Sequence, residues 1–565
     1  MPETYTTLYA LLKDLAASIR EKTGDLELIK ADDFPKVIAE QLEAKSGADP
    51  FIVFSSPNTF TLATKNTTKN WNGTLEYSVD QKTWTPWDGA ATLSSGQQGN
   101  IYTLSLRGTG NTKITGSDDA AWVLTGSDVA CNGNIEVLLD YAACMAAQHP
   151  TMGNNCFQSM FHSCAALTHA PTLPATTLSS ACYWQMFFNC SNLLAAPDLP
   201  ATTLTYACYY RMFSGCSKLI REPRMNATTL DAWCCAQMFS NCTSLCWTPD
   251  LPASVLAANC YDNMFYGCTK LVRSPELPAT TLTDYCYRSM FYGCTSLNSA
   301  PALPATNLGA YCYTCMFRGC TALQHAPDLP ATTLTAHCYE QMFQGCSSLY
   351  SAPALPAMTL TESCYDNMFR ECTKLSKAPT LPATTLADFC YRSMFYGCTG
   401  LTYVTALPAT TLAASCYRFM YAGCSGLNMV PALPATQLAP YCYANMFGGC
   451  IRLTVCPALP ATTLAEYCYN EMFYNCQKLP QVPALPATTL ADHCYAGMFT
   501  KCSVIRFATA KSSAYTQAYR IPTNGTGVTA ADALTTMLDS TGGTFRGTPS
   551  INTTYYLSSN NKIIA

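Results

Sequence analysis

Apolar residues return along this chain in one fixed pattern. Methionine stands at Met160, Met186, Met212, Met238, Met264, Met290, Met316, Met342, Met368, Met394, Met420, Met446, Met472 and Met498, always 26 residues apart. Around Met290 the residues Leu282, Cys286, Met290 and Cys294 follow one another at intervals of four. That spacing predicts one side of a short helix, turned toward a core. Thr281 with Asp284 has the spacing of a capping box, as do Thr385 with Asp388, Thr463 with Glu466 and Thr489 with Asp492, which marks the predicted helix start. Gly293 ends it, because glycine tolerates a left-handed backbone. Leu297 to Leu303 is short and bounded by proline, and it reads as a strand-like segment leading to a Leu-Pro-Ala-Thr corner.

One strand and one short helix cannot bury their own apolar side, so copies must stack and their ends must be closed by other structure. The fold class predicted is an α/β solenoid of 14 repeats of 26 residues, leucine-rich-repeat-like, with Cys286, Met290, Cys294 and Leu297 as structural core. A small all-β sandwich and an N-terminal helical module precede it. The expected divisions are 1–48 for helical docking or oligomerisation, 50–127 for the sandwich, 128–155 for the N-terminal cap, 156–505 for the solenoid and 506–565 for the C-terminal cap.

The flanks change period. Leu8, Leu11, Leu12, Leu15 and Ile19 form one helical stripe closed by Gly24, and Val37, Ile38 and Leu42 form a second. Alternating runs such as Leu75–Asp80 and Ile101–Leu106 predict the sandwich. Ile135–Leu139 is expected to close the first turn. The segment from Ala531 to Ala565, which lacks the methionine–cysteine register, is expected to close the last.

The recurring Cys-Tyr-x-x-Met-Phe-x-Gly-Cys-Thr-x-Leu-x-x-Ala-Pro-x-Leu-Pro-Ala-Thr-Thr-Leu, from about Cys156 to Ile505, resembles the BspA-like class of bacterial leucine-rich repeats. That class occurs in cell-surface and phage-encoded proteins. Tyr421 in place of phenylalanine, Thr405 in place of the strand proline and Arg224-Met225-Asn226 across the corner depart from it. Glu76–Trp84 resembles the β domain that often precedes such repeats. Ala17–Gly24 with Ile29–Pro35 resembles amino-terminal modules of phage tail-associated proteins.

Charged residues make up 12% of the chain and the formal net charge is -4, which gives nucleic acid no electrostatic footprint. The amino end does not read as a secretory signal and no run is long and apolar enough to span a bilayer. Twenty-eight of the 34 cysteines fall in two regular rows. They read as small buried groups, since equivalent side chains point the same way and do not aim at each other for disulfides. Cys131, Cys144, Cys235, Cys246, Cys315 and Cys456 lie off the register. The within-repeat spacing does not suit zinc, and the six histidines share no register with the cysteines. No metal, cofactor or catalytic residue is expected, and no nucleophile, phosphate-loop or metalloprotease motif occurs.

Recognition is then expected where copies differ while the frame stays fixed. If Ala300 faces inward on its strand, Ser299 faces the concave surface. Across the array that row reads His169, Ala195, Arg221, Trp247, Arg273, Ser299, His325, Ser351, Lys377, Tyr403, Met429, Val455 and Gln481. His169, Arg221, Trp247, Arg273, His325, Lys377 and Tyr403 are the candidate ligand-binding residues, fit to stack on sugars or pair with anionic groups. The expected role is host-surface recognition by a phage tail fibre or tail-tip protein, exposed on the virion. The expected partners are a host glycan or protein, other tail proteins through residues 1–48, and further copies of the chain. A bacterial cell-surface adhesin and an intracellular scaffold are the alternatives.

Overall fold

The computed structural model describes residues 49–565; the two helical stripes expected within 1–48 lie outside them. Alternation in the first part builds strands β1 (Ile52–Ser56), β2 (Thr61–Thr64), β3 (Thr74–Ser78), β4 (Thr85–Trp87), β5 (Leu93–Ser94), β6 (Gly96–Gln98), β7 (Ile101–Thr109), β8 (Trp122–Thr125) and β9 (Val129–Asn132). One sheet runs β9-β1-β7-β3-β4 with β6 also on β7, and a smaller one runs β5-β2-β8. Ile52, Phe54, Leu104 and Leu106 point between them and are fully buried with Trp122. The larger sheet does not end at β9: it continues by parallel pairing to β10 (Leu167–His169), which belongs to the first 26-residue copy.

The copies themselves are not helical. Tyr285, Ser289 and Gly293 have φ of 59°, 53° and 72°, which a right-handed helix never contains. The N–H groups of Arg288, Met290, Tyr292 and Cys294 close tight turns onto the carbonyls of Tyr285, Tyr287, Ser289 and Phe291. Those of Tyr285, Tyr287, Ser289, Phe291 and Gly293 leave the copy and donate to Ala310, Cys312, Thr314, Met316 and Arg318 of the next. Alternate amides thus bond within the copy and between copies, so the segment is a ribbon of consecutive turns with a period of exactly four. The expected helix is corrected on this point, and with it the α part of the α/β reading. Only Val137–Met145 (α1), broken at Asp140, is α-helical among the described residues.

A period of four explains the burial that misled the sequence reading. Four residues of an α-helix overshoot a full turn by about 40°, so Cys286 and Cys294 would drift apart around a helix. In the ribbon Cys286, Met290 and Cys294 remain on one face, joined by Tyr287 and Phe291, and all are at most 1% exposed. Equivalent rings stack from copy to copy: Phe291 lies 5.7 Å from Phe265 and 5.6 Å from Phe317, nearly parallel. The phenylalanine ladder runs unbroken from Phe161 to Phe499, with Tyr421 serving as a rung. Beside it runs a tyrosine ladder, interrupted where Cys235 occupies the tyrosine position. Offset parallel stacking is favourable for aromatic rings and fixes the register between copies.

The second cysteine row has its own task. The Cys294 thiol donates to the Phe265 carbonyl of the preceding copy at 3.1 Å, and Cys268, Cys320 and Cys398 repeat the contact at 3.0–3.1 Å. A thiol fills the apolar space and also supplies a weak donor to that carbonyl. All 34 cysteines are free.

The Leu297–Leu303 segment is not a strand. Proline lacks the donor a ladder requires, and pairing shrinks to isolated parallel bridges such as His325↔Ser351 and Lys377↔Tyr403. Where Thr405 replaces proline, its hydroxyl donates to the Pro379 carbonyl at 2.8 Å. The capping boxes also resolve differently. The carboxylates of Asp284 and Asp388 accept from the Ala310 and Ala414 N–H groups, each one copy ahead, so they tie copies together.

Both ends continue the ribbon's bonding. In the β domain the N–H groups of Ile114 and Trp122 donate to Cys156 and Met160, and the Trp122 ring packs 6.0 Å from Phe161. Ile114 and Trp122 therefore stand in for the aromatic pair of a copy before the first. Ile135 bonds to Thr172 of the first copy, while Leu138 and Leu139 accept from Asn111. At the other end Tyr495 and Phe499 donate to Ala533 and Met537. Asp532, Thr536 and Ser540 have φ of 49°, 54° and 56°. This segment, which lacks the methionine–cysteine register, still holds a further degenerate turn, Ala533 and Met537 replacing Cys and Met, with Met537 about half a repeat late. The strands β12 (Phe507–Ala508), β13 (Tyr515–Arg520) and β14 (Thr554–Ser558) form a sheet beside it, and β11 (Gln481–Pro483) pairs with β15 (Lys562–Ile564). The Gly547 carbonyl accepts from Leu538 over the last turn.

Candidate functional site

The recognition row is exposed for most of its length. His169, Arg273, Ser299, His325, Ser351, Lys377 and Tyr403 face solvent, and Trp247 is 47% exposed. Ala195, Arg221, Val455 and Gln481 are half-buried. Parallel bridges His169↔Ala195, Ala195↔Arg221, His325↔Ser351 and Lys377↔Tyr403 set neighbouring members side by side. Ala300, Ala326 and Ala352, each next in sequence, pack partly against the core. Alternation of inward and outward side chains survives even where the ladder does not.

Side by side, members of the row pair with one another. The Arg273 guanidinium lies 5.3 Å from the Trp247 ring and the Lys377 ammonium 5.4 Å from the Tyr403 ring. Both distances suit cation–π attraction. The Tyr350 hydroxyl and His325 Nε2 are hydrogen-bonded. Acids absent from the row lie close by: Asp198 is 3.9 Å from Arg221 and 3.8 Å from Arg224.

Grooves open on this face. One of 620 Å³ lies between the segments at Tyr350–Pro356 and Lys377–Pro382. Another, of 420 Å³, lies between those at Arg273–Pro278 and Ser299–Pro304 and includes Glu276. A third, of 400 Å³, joins His169 to Ser56 and Ala130 at the junction with the β domain. Prolines line the first two, and they offer no backbone N–H to bridge the gap between copies. Tyr350 escaped the sequence reading because its place in the copy is one before the row, where the Met290 copy has Asn298. The signal available was that an aromatic ring stood at a place where the other copies carry none.

The turn ribbon carries charge that is partly buried. Asp262 and Asp366 are fully buried, and each is gripped by an arginine of the next copy: Arg288 at 2.8 and 2.9 Å, Arg392 at 3.1 and 2.5 Å. Burial pushes the Asp366 carboxyl above its ordinary range, against the pull of Arg392. Burial likewise raises the core thiols; Cys286 and Cys398 are pushed up to about 12, which keeps them protonated and poor nucleophiles. Among the described residues no group of three or more His, Cys, Asp or Glu is placed to hold a metal ion. No helix there is long and apolar enough to cross a membrane.

Comparison with known families is consistent with this geometry. Residues 235–349, 261–402 and 306–428 match the family described as BspA type leucine rich repeat region (6 copies). No curated protein is significantly similar to the chain. The stacked copies across residues 235–428 are therefore leucine-rich repeats of the BspA type.

Proposed function

We propose that this chain is a non-enzymatic recognition protein that holds its repeat array toward a host cell surface and binds a glycan or protein there. The observation that carries the reading is the division of labour within each copy. The ladders of cysteine, methionine, tyrosine and phenylalanine are nearly invariant and buried, whereas the adjoining row changes identity at every step and places Trp247, Arg273, Lys377 and Tyr403 in solvent. Exposed aromatic and basic groups on a rigid frame are the usual makings of a binding face.

The carrier we favour is a phage tail fibre or tail tip, docked through residues 1–48, which resemble tail-associated modules. Further copies of the chain and other tail proteins would be its partners in the virion. A bacterial cell-surface adhesin is the second reading, favoured by the BspA type of the repeats. Virions labelled with antibody against residues 1–46 separate the two: label at the tail supports the first, and label on the bacterial envelope alone supports the second. For the binding face, Trp247→Ala with Arg273→Ala is expected to reduce cell attachment while stability stays within about 0.5 kcal/mol, as for surface changes generally. Undiminished attachment would remove the row from the proposal.

A further inference from the structure

The groove between Tyr350 and Lys377 has a composition that selects a ligand. Its lining includes Pro353, Pro356, Pro379 and Pro382, rigid and without N–H donors. Polar chemistry is therefore left to a few side chains: Lys377, Tyr350, Ser351 and Thr380. None of the lining residues is acidic, whereas the groove at Arg273 contains Glu276. The Lys377 ammonium is exposed, with the Tyr403 ring beside it at 5.4 Å. Tyr350 is 46% exposed and Tyr403 49%. The Tyr350 hydroxyl is held by His325, and the Lys377↔Tyr403 bridge fixes those two residues as neighbours.

One cation, one exposed ring, that of Tyr350, and two hydroxyls along an apolar lining match a ligand with one negative charge, an apolar ring face and hydroxyl groups. We infer that the groove between Tyr350 and Lys377 is a subsite for an acidic sugar unit of the hexuronate class. The carboxylate pairs with Lys377, the C–H face lies on Tyr350, and the hydroxyls meet Ser351 and Thr380. Charge complementarity favours this occupant over a neutral sugar, which would leave the ammonium unused, and over nucleic acid, which requires many cations. The inference rests on the row being the recognition face, and it adds the class of ligand.

Oligogalacturonate and its methyl ester are suitable probes, titrated into the full chain by calorimetry. Saturable binding of the acid is expected, weakened about ten-fold or more by esterification and by Lys377→Gln, as loss of a charge-assisted contact predicts, and weakened also by Tyr350→Ala. Lys82→Gln, on the exposed surface of the β domain and outside the row, is expected to leave it unchanged. Absence of saturable binding, equal binding of the ester, or full binding by Lys377→Gln would overturn the assignment. If the acid does not bind while Trp247→Ala with Arg273→Ala still abolishes cell attachment, the hexuronate subsite falls and the recognition face stands. If attachment too is unaffected, both fall.

Discussion

Replacing Ser289 by glycine discriminates between the turn ribbon and a helix by the sign of its effect. Ser289 has φ of 53°, its N–H donates to the Thr314 carbonyl at 2.8 Å, and its half-exposed hydroxyl bonds to no other group among the described residues. The substitution therefore removes no contact of note and acts through the backbone. An L-residue in the left-handed region costs about 1–2 kcal/mol, and glycine's larger freedom in the unfolded chain takes back about 0.5–1 kcal/mol. The net expectation is stabilisation by about 1 kcal/mol. In a helix the same change would destabilise by about 0.5 kcal/mol, since glycine is the poorer helix former. Stacked arrays need not unfold in one step, so the assay is native-state hydrogen exchange of peptides spanning residues 285–294. Exchange there is expected to slow about five-fold, and Ser393→Gly, at φ of 54°, should repeat the effect independently. Faster exchange in both variants would refute the ribbon.

Two further changes test the ladders. Phe317→Ala removes a fully buried ring stacked at 5.6 and 5.7 Å on its neighbours, and should cost about 3–5 kcal/mol. Limited proteolysis should then cut near the exposed Thr321 and Gln324, and full resistance would contradict a continuous core. Tyr421→Phe restores the usual rung and deletes a buried hydroxyl without a protein partner. An increase of about 1 kcal/mol in urea unfolding is expected, and a decrease would mean that the hydroxyl is satisfied.

The sequence by itself determined the repeat, the identity of the core positions and the place of the variable row, because a strict 26-residue recurrence of apolar residues has meaning only if copies stack in register. It also indicated Gly293 as a left-handed position, since no other residue adopts one so freely. It did not determine the backbone between Leu282 and Cys294. Spacing by four reads as helix when only one copy is considered. What overrides it is bonding between copies: alternate amides find acceptors one copy away, and the bonds and ring stacks gained there offset left-handed residues such as Tyr285 and Ser289. The same dependence hid the end structures. Trp122 and Met537 complete turns without the motif, because a terminal copy needs only donors, acceptors and apolar bulk at the right heights. The groove at Tyr350 and Lys377 was hidden for a related reason. Its two walls belong to different copies, and only stacking sets the distance between them.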